Sequence, residues 1–490
     1  MKTKLTFVLL FSVCLFHCSE HLPICRSSMD CHVGFICAEA QGSARLLCVK
    51  LPSPSTPSHK HPSGQRSSRL PQMPNPSPKS ATPPPSRQST PPPSAAPNAL
   101  SPVSLTEDLP PSNANVATDC LPPPYLPPQE AENGGRTVHI DAQDRALFRT
   151  LRLLYHVSQR CSAKIWSESL RIDRIPSYFV NIGASSPEQQ RPLRGFLLNH
   201  PNPPSDAILV DSRQTQGLTN VYLYNAQKRQ IPAPGFTFQL PIHEIKSYAM
   251  LYGAQKSLRA ESLSFKRLLV HEIFHRAQII EKAWRYPHGS QNRSGYAFDS
   301  QSIALALLEN RLLARGLQNP RPERFLLLFY AVRSSRIIRN PDRQNRIEDY
   351  DNYQEWLEGT AMFVEHQFSL YAGFPFQHND LESIPQRLLI FEQNHRDLDH
   401  SFVREGLFAR FYGTGAAIGL LLDRLGDTRW RPACREGRTL YQHLRDRWGR
   451  LSAQRQRALL REAEQHGMAE LQSIAQSFSR MLRRSHAHNE

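Results

Sequence analysis

The chain has 490 residues, 40 prolines and a formal net charge of +16. More than half of the prolines lie between Leu51 and Glu130. This excludes a chain that is globular throughout, because so proline-rich a stretch buries too little apolar surface to offset the entropy of ordering. The basic residues are dispersed and no nucleic-acid-binding motif is present, so no nucleic-acid partner is expected.

The first segment has the pattern of an export signal. Lys2 and Lys4 precede the apolar run Leu5–Phe16, which is too short to span a bilayer as a helix. The run leads into Leu-Phe-His-Cys at residues 15–18, which resembles a bacterial lipobox and implies lipidation of Cys18. We therefore predict a signal peptide over residues 1–17 and an exported bacterial protein, either lipid-anchored to the membrane of the cell envelope through Cys18 or secreted.

A small cysteine-rich module is predicted over residues 18–50, followed by a Pro/Ser-rich disordered linker over residues 51–134. The spacing C-x5-C-x5-C-x10-C, from Cys25 to Cys48, favours two disulfides in an exported chain. Zinc binding is the alternative for these thiols. The similarity of this segment to small cysteine-rich modules of bacterial surface lipoproteins implies an interleaved pairing.

Residues 135–490 are predicted to form one α+β domain. Leucines at helical spacing predict a first helix over Asp144–Gln159. Short apolar runs bounded by Pro, Gly, Asn and Asp predict strands at Ser177–Asn181, Gly195–Leu198, Ala207–Val210, Asn220–Tyr224 and Phe236–Leu240. After about Ile242 the pattern is nearly all helical. A small mixed or antiparallel sheet followed by a mostly helical lobe is the order of an α+β fold.

One predicted helix carries a metal-binding pattern. The segment Ser264–Ile280 contains neither Gly nor Pro, and His271 and His275 stand four residues apart. Both imidazoles therefore project from one face and can share a single ion, for which Zn²⁺ is the expected cofactor. Glu272 follows the first histidine, where it can accept a proton from a metal-activated water as general base. Arg276 places a charge directly after the second histidine, where a neutral residue is usual.

A catalytic zinc needs a third protein ligand and an open position for water. Residues 356–361, Trp-Leu-Glu-Gly-Thr-Ala, resemble the third-ligand helix of gluzincins, the metallopeptidase clan that includes thermolysin. In that clan a glutamate is followed three residues later by a small residue, here Glu358 and Ala361. The resemblance spans roughly residues 254–425 and implies a zincin-like domain in which Glu358 completes the metal site. Gly359 is expected to let this helix approach the helix of His271 closely.

Other side chains compete for positions around the ion. Glu365, two turns beyond Glu358 on the same helix face, is either an alternative ligand or the acceptor for a ligand histidine. Glu355 and His366 are further alternatives. Glu309 is expected to be a solvent-facing acid on a helix. The other interpretation is that it contacts a metal ligand and helps to orient it.

The glycine-rich stretch at residues 412–415, Tyr-Gly-Thr-Gly, resembles the helix after the third ligand in several gluzincin branches. The resemblance implies that Tyr412 donates a hydrogen bond to the oxyanion formed during peptide hydrolysis. One alternative is that Tyr412 only packs against its neighbours. Another is that His395 or His400 is the donor. The clan also implies an edge strand that binds the substrate backbone, at Asn220–Tyr224 or Phe236–Leu240.

We therefore predict a zinc metallopeptidase that hydrolyses peptide or protein substrates at the cell surface or outside the cell, with Glu272 and Tyr412 as catalytic residues. The alternative is a surface-anchored binding or structural protein whose zincin-like domain lacks catalysis. Glu272 argues against that alternative, because a structural metal site needs no general base. Three cysteines of the main domain have no assigned pairing: Cys120, Cys161 and Cys434. A free thiol is one of the alternatives for one of them.

Overall fold

The computed structural model describes residues 24–25, 35–39, 46–50, 118–123, 134–182, 194–224, 237–253, 258–280, 296, 298–339, 344–374, 384–396, 398 and 400–487. Contacts between Cα atoms divide the chain into two compact units, one of Met1–Val49 with Asn113–Glu490 and one of Lys50–Ser112. The predicted signal peptide, Cys18 and most of the predicted linker lie outside the described residues, so these predictions stay open.

Three short strands lie where the cysteine-rich module is predicted. They are Ile24–Cys25 (β1), Phe35–Glu39 (β2) and Leu46–Lys50 (β3). Their order in the sheet is β1-β3-β2, and β1 pairs antiparallel with β3, with Ile24 opposite Leu47. The disulfides predicted for this module lie outside what the structure describes.

The main sheet is mixed and has six strands within the described residues. They are Ser177–Asn181 (β4), Arg194–Leu198 (β5), Ile208–Leu209 (β6), Val221–Tyr224 (β7), Thr237–Ile242 (β8) and Ile245–Tyr252 (β9). Their order is β6-β7-β5-β4-β9-β8. Strands β4 and β9 pair in parallel, and the other neighbours pair antiparallel. This arrangement confirms the predicted α+β class.

Strand β9 corrects the prediction that the chain is nearly all helical after Ile242. Every residue from Ser247 to Tyr252 is buried, because β9 lies between β4 and β8 and both of its faces pack against apolar side chains. Met250 belongs to the main core and Ala249 to a second core on the opposite face. A strand buried on both faces lacks the polar–apolar alternation by which strands are recognised.

The first helix is α1, Ala142–Ile165. It begins at a capping box, in which the side chains of Asp141 and Asp144 each accept a hydrogen bond from the backbone N–H of the other and so satisfy donors that a helix leaves free. Cys161 on this helix forms a disulfide with Cys120, while Cys434 is a free, buried thiol. The disulfide resolves the pairing that the sequence left open.

The rest of the described chain after the sheet is mostly helical, as predicted. Its helices are Leu263–Ile280 (α2), Ser300–Gln318 (α3), Pro322–Ile338 (α4), Gln344–Gln354 (α5), Thr360–Tyr371 (α6), Ile384–Asn394 (α7), His400–Arg424 (α8), Trp430–Arg435 (α9), Leu440–Trp448 (α10), Ala453–Glu464 (α11) and Met468–Ala487 (α12). A single π turn, Glu355–Gly359, joins α5 to α6. None of the helices in the described part of the chain has the length and apolar character needed to cross a membrane.

A network of buried charges links these helices, and we call it the arginine–carboxylate network. Its members are at most 5% exposed: Glu309, Arg333, Arg336, Asp351, Glu355 and Arg410. Arg333 donates hydrogen bonds to both oxygens of Glu309 and to both oxygens of Glu355. Glu309 is therefore not the solvent-facing acid that the sequence predicts. Burial raises its pKa, but the charges of the three arginines lower it, and the result lies well below the usual range.

Candidate metal centre

Helix α2 is held to the sheet on one face and presents its histidines from another. Arg276 is buried and donates a hydrogen bond to the carbonyl oxygen of Lys246 on β9, and burial lowers the pKa of its guanidinium to about 10. The charge that follows the second histidine in the sequence is thus used to attach α2 to β9. This leaves His271 and His275 facing the π turn and α6.

Three side-chain atoms from α2 and the π turn meet at one point. Nε2 of His271 lies 3.1 Å from Nε2 of His275, and Oε2 of Glu358 lies 3.3 Å from the first and 3.2 Å from the second. A tetrahedral ion with ligand bonds of about 2.0–2.1 Å needs ligand atoms about 3.3 Å apart. The three residues therefore match the donor set and the spacing of a zinc site.

The second nitrogen of each imidazole also has a partner. Nδ1 of His271 lies 3.3 Å from Oε2 of Glu365, and Nδ1 of His275 lies 2.8 Å from Oε1 of Gln278. Such partners fix the ring orientation and leave the opposite nitrogen free for an ion. The sequence allows Glu365 to be either a metal ligand or the acceptor for a ligand histidine. The structure places it at Nδ1 of His271, whereas Glu358 lies at Nε2 of the same ring.

The carboxylates make this site strongly attractive to positive charge. Burial lowers the pKa of His271, but hydrogen bonds and charges from Glu358 and Glu365 raise it, and the result is a pKa of about 10. Burial raises the pKa of Glu358, but the charge of His275 and hydrogen bonds from both histidines lower it well below the usual range. A divalent cation between two neutral imidazoles supplies the positive charge that this environment favours.

Tyr412 lies beside the ligand histidines, and the charge of Glu272 acts on both His275 and Tyr412. The hydroxyl of Tyr412 is hydrogen-bonded to Glu358, and its ring stacks on His271 with the ring centroids 5.6 Å apart. Glu272 is partly exposed. Burial is the main cause that raises the pKa of Tyr412, and the negative charges of Glu358 and Glu272 raise it further. Burial and the charge of Glu272 likewise raise the pKa of Tyr248 on β9.

The close approach predicted at Gly359 occurs, but its partner is not the helix of His271. A Cβ atom on Gly359 would lie 2.5 Å from Cα of Gly415 on α8, and a Cβ atom on Gly415 would lie 2.7 Å from the carbonyl oxygen of Glu355. Two glycines thus let the π turn and α8 touch through their backbones. The prediction is corrected in this respect, since the closest contacts of Gly359 are all with α8.

The arginine–carboxylate network supports the same turn. Glu355, its first residue, accepts hydrogen bonds from Arg333 at 2.7 and 3.2 Å and from the hydroxyl of Thr414 at 2.7 Å. Its carboxylate oxygens are thereby directed toward α4 and α8. His395, an alternative to Tyr412, has its Nδ1 2.9 Å from the carbonyl oxygen of Glu392.

Comparison of the chain with models of known protein families, with curated proteins and with solved structures found no match. Of the two strands that the sequence suggests for substrate binding, β8 lies at an edge of the main sheet, whereas β7 lies between β6 and β5. Gln278 is the residue at the site that sequence reasoning missed, because nothing in the helix pattern marks it.

Proposed function

We propose that the chain is a gluzincin-like zinc metallopeptidase, with a zincin-like domain that hydrolyses peptide bonds. The observation that carries the proposal is the meeting of His271, His275 and Glu358 at 3.1 to 3.3 Å. Three protein ligands leave a fourth position open, which is the arrangement of catalytic rather than structural zinc sites. Glu272, which follows His271 in the sequence, and Tyr412, whose ring stacks on His271, are the proposed groups for hydrolysis.

The residues around the ion have distinct tasks in this proposal. The two histidines and Glu358 would hold zinc, which would supply Lewis-acid chemistry for activating water and polarising a carbonyl. Glu272 accepts the proton of the attacking water and returns it to the leaving amine. Tyr412 donates a hydrogen bond to the carbonyl oxygen as negative charge develops on it.

The proposed substrate is an extended peptide that adds by main-chain hydrogen bonds to β8, the edge strand of the main sheet among the described residues. We place the reaction at the cell surface or outside the cell. The signal-like pattern of residues 1–17 supports this location, as does the bond between Cys120 and Cys161, since disulfides persist in oxidising compartments. Lipid anchoring through Cys18 is part of the same proposal.

The test combines metal analysis with peptide cleavage. We expect the purified full chain to bind one zinc per molecule by mass spectrometry and to cleave a quenched fluorescent peptide library. His271→Ala is expected to lose the metal. Glu272→Gln is expected to keep the zinc but to lose about 10²- to 10⁴-fold in cleavage rate, the usual contribution of a general base. The matched control is Glu261→Gln, an exposed carboxylate just before α2, which should change neither property.

Two results would contradict the proposal in different ways. A protein without stoichiometric zinc, whose metal uptake is the same after His271→Ala and His275→Ala, would eliminate the metal site. A zinc-loaded protein that behaves identically with and without Glu272→Gln would favour a surface-anchored binding protein instead.

A further inference from the structure

Gln278 is a fully buried polar residue on α2 that contacts both halves of the metal site. It lies three residues beyond His275, on the same helix face, and its side chain has no solvent exposure. Its Oε1 lies 2.8 Å from Nδ1 of His275. Its Nε2 lies 2.9 Å from Oγ1 of Thr360, and 3.3 and 3.4 Å from the carbonyl oxygens of Trp356 and Leu357.

These neighbours determine which way the amide points. Backbone carbonyl oxygens only accept hydrogen bonds, so the atom that faces Trp356 and Leu357 must be the NH₂ group of Gln278. Thr360 donates its own hydroxyl proton to the carbonyl of Trp356 at 2.6 Å, and it can therefore accept from the amide. A reversed amide would place its oxygen against two carbonyl oxygens.

The orientation of the amide in turn sets the tautomer of His275. Oε1 of Gln278 carries no proton, so Nδ1 of His275 must be the donor in their hydrogen bond. In the neutral imidazole the lone pair is then on Nε2, the atom that lies 3.2 Å from Oε2 of Glu358 and 3.1 Å from Nε2 of His271. A histidine that binds metal through Nε2 needs this tautomer.

The other half of the amide holds the turn that supplies the third ligand. Trp356 and Leu357 precede Glu358 within the π turn, and Thr360 follows it directly after Gly359. Single π turns are uncommon and occur frequently at functional sites. Bonds from one NH₂ group to both sides of Glu358 restrict how far this turn can move relative to α2.

We propose that Gln278 is the positioning residue of the metal centre, and that it couples the tautomer of His275 to the placement of Glu358. The proposal rests on the proposed zinc site and adds to it a residue that touches neither the ion nor the substrate. One amide therefore sets two of the three ligands, although Glu358 lies 80 positions after Gln278 in the chain.

Two variants separate the two tasks of Gln278. Gln278→Met has a similar length but neither accepts from His275 nor donates to the turn, and we expect zinc affinity to fall about 10- to 100-fold, as for other residues that orient ligand histidines. Gln278→Glu keeps an oxygen for Nδ1 of His275 but sets its second oxygen against the carbonyls of Trp356 and Leu357. We expect its zinc affinity also to fall below that of the parent, because two carbonyl oxygens then repel the side chain that holds the turn.

Zinc affinity is measured on the full chain by competition with a chelator, and the Co²⁺ absorption spectrum reports the geometry of the substituted site. The matched control is Gln214→Met. Gln214 also bridges backbone groups with both ends of its amide, but its partners are the N–H and carbonyl of Val138. We expect this control to lower stability without changing zinc affinity or the Co²⁺ spectrum.

The outcomes distinguish this proposal from the proposed function. If the parent protein binds no stoichiometric zinc, the metal site itself fails. If the parent binds zinc, and Gln278→Met binds it within about twofold with an unchanged Co²⁺ spectrum, the positioning role is refuted while the metal site stands. A loss of affinity equal to that of Gln214→Met would show that Gln278 contributes only to folding, and would also refute the proposal.

Discussion

Replacing Arg333 with Met removes the centre of the arginine–carboxylate network. Arg333 is fully buried and bonds to Glu309 at 2.9 and 3.0 Å and to Glu355 at 2.7 and 3.2 Å. After the change Glu309 still contacts Arg336 at 2.9 Å. Glu355 keeps the hydroxyl of Thr414, which cannot neutralise a carboxylate. The change therefore leaves Glu355 as a buried charge without the cation that compensates it.

Breaking a buried ion pair on one side costs about 3–5 kcal/mol, a large share of the roughly 5–15 kcal/mol by which proteins are stable. We expect Arg333→Met to lower the free energy of unfolding by that amount, measured by urea unfolding of the metal-free full chain with linear extrapolation. The double variant Arg333→Met/Glu355→Gln should recover part of the loss, because a neutral amide no longer requires a cation.

The matched control is Arg324→Met. Arg324 pairs with Glu462 at the surface, where the two side chains are 50% and 35% exposed, and such pairs contribute at most about 1 kcal/mol. If Arg333→Met costs no more than Arg324→Met, or if the double variant is no more stable than Arg333→Met alone, the account of Glu355 as a charge held by Arg333 is wrong.

Two further changes test neighbouring features. Gly359→Ala should cost about 1–3 kcal/mol of unfolding free energy and weaken zinc binding, since the added Cβ meets the backbone of Gly415 at 2.5 Å; equal stability and affinity would contradict the contact. Asp427→Asn tests acid stability. Burial raises the pKa of Asp427, but Arg429 and His443 lower it from 3.8 to about 2, so its contribution is present above about pH 4 and is lost as the pH falls through about 2. Unfolding midpoints in urea should therefore fall less steeply over this range in Asp427→Asn than in the parent, and parallel curves would contradict the assignment.

The strands of the sheet were predictable where turn residues bound them, and β9 was not. Four of the predicted strands overlap the strands β4, β5, β7 and β8 closely, and a fifth contains β6. The hairpin between β8 and β9 turns at His243 and Glu244, both with positive φ, where Asn and Gly are the usual signals. Without that signal, and with both faces of β9 buried, the segment is indistinguishable by periodicity from a buried helix.

The helix of the metal-binding pattern was predictable because its information is local. A spacing of four residues places His271 and His275 on one helix face, whatever the remainder of the fold does. The π turn and the role of Gln278 depend instead on residues about 80 positions away. The burial of Glu309 depends on arginines on α4 and α8. Contacts between distant residues produce no periodic pattern in the sequence. An acidic residue in a predicted helix is therefore expected to be exposed unless its distant partners are known.

Four glutamates are buried among the described residues of the helical region, and they differ in which cation can neutralise them. Glu309 and Glu355 contact guanidinium groups, which remain charged at any physiological pH. Glu358 and Glu365 contact imidazole nitrogens instead, and an imidazole carries a charge only when it is protonated. A bound proton on the histidines and a bound metal ion therefore exclude each other at the same nitrogens. Arginines neutralise Glu309 and Glu355 inside the fold, whereas Glu358 lies against two imidazole nitrogens, where a divalent cation can supply the compensating charge.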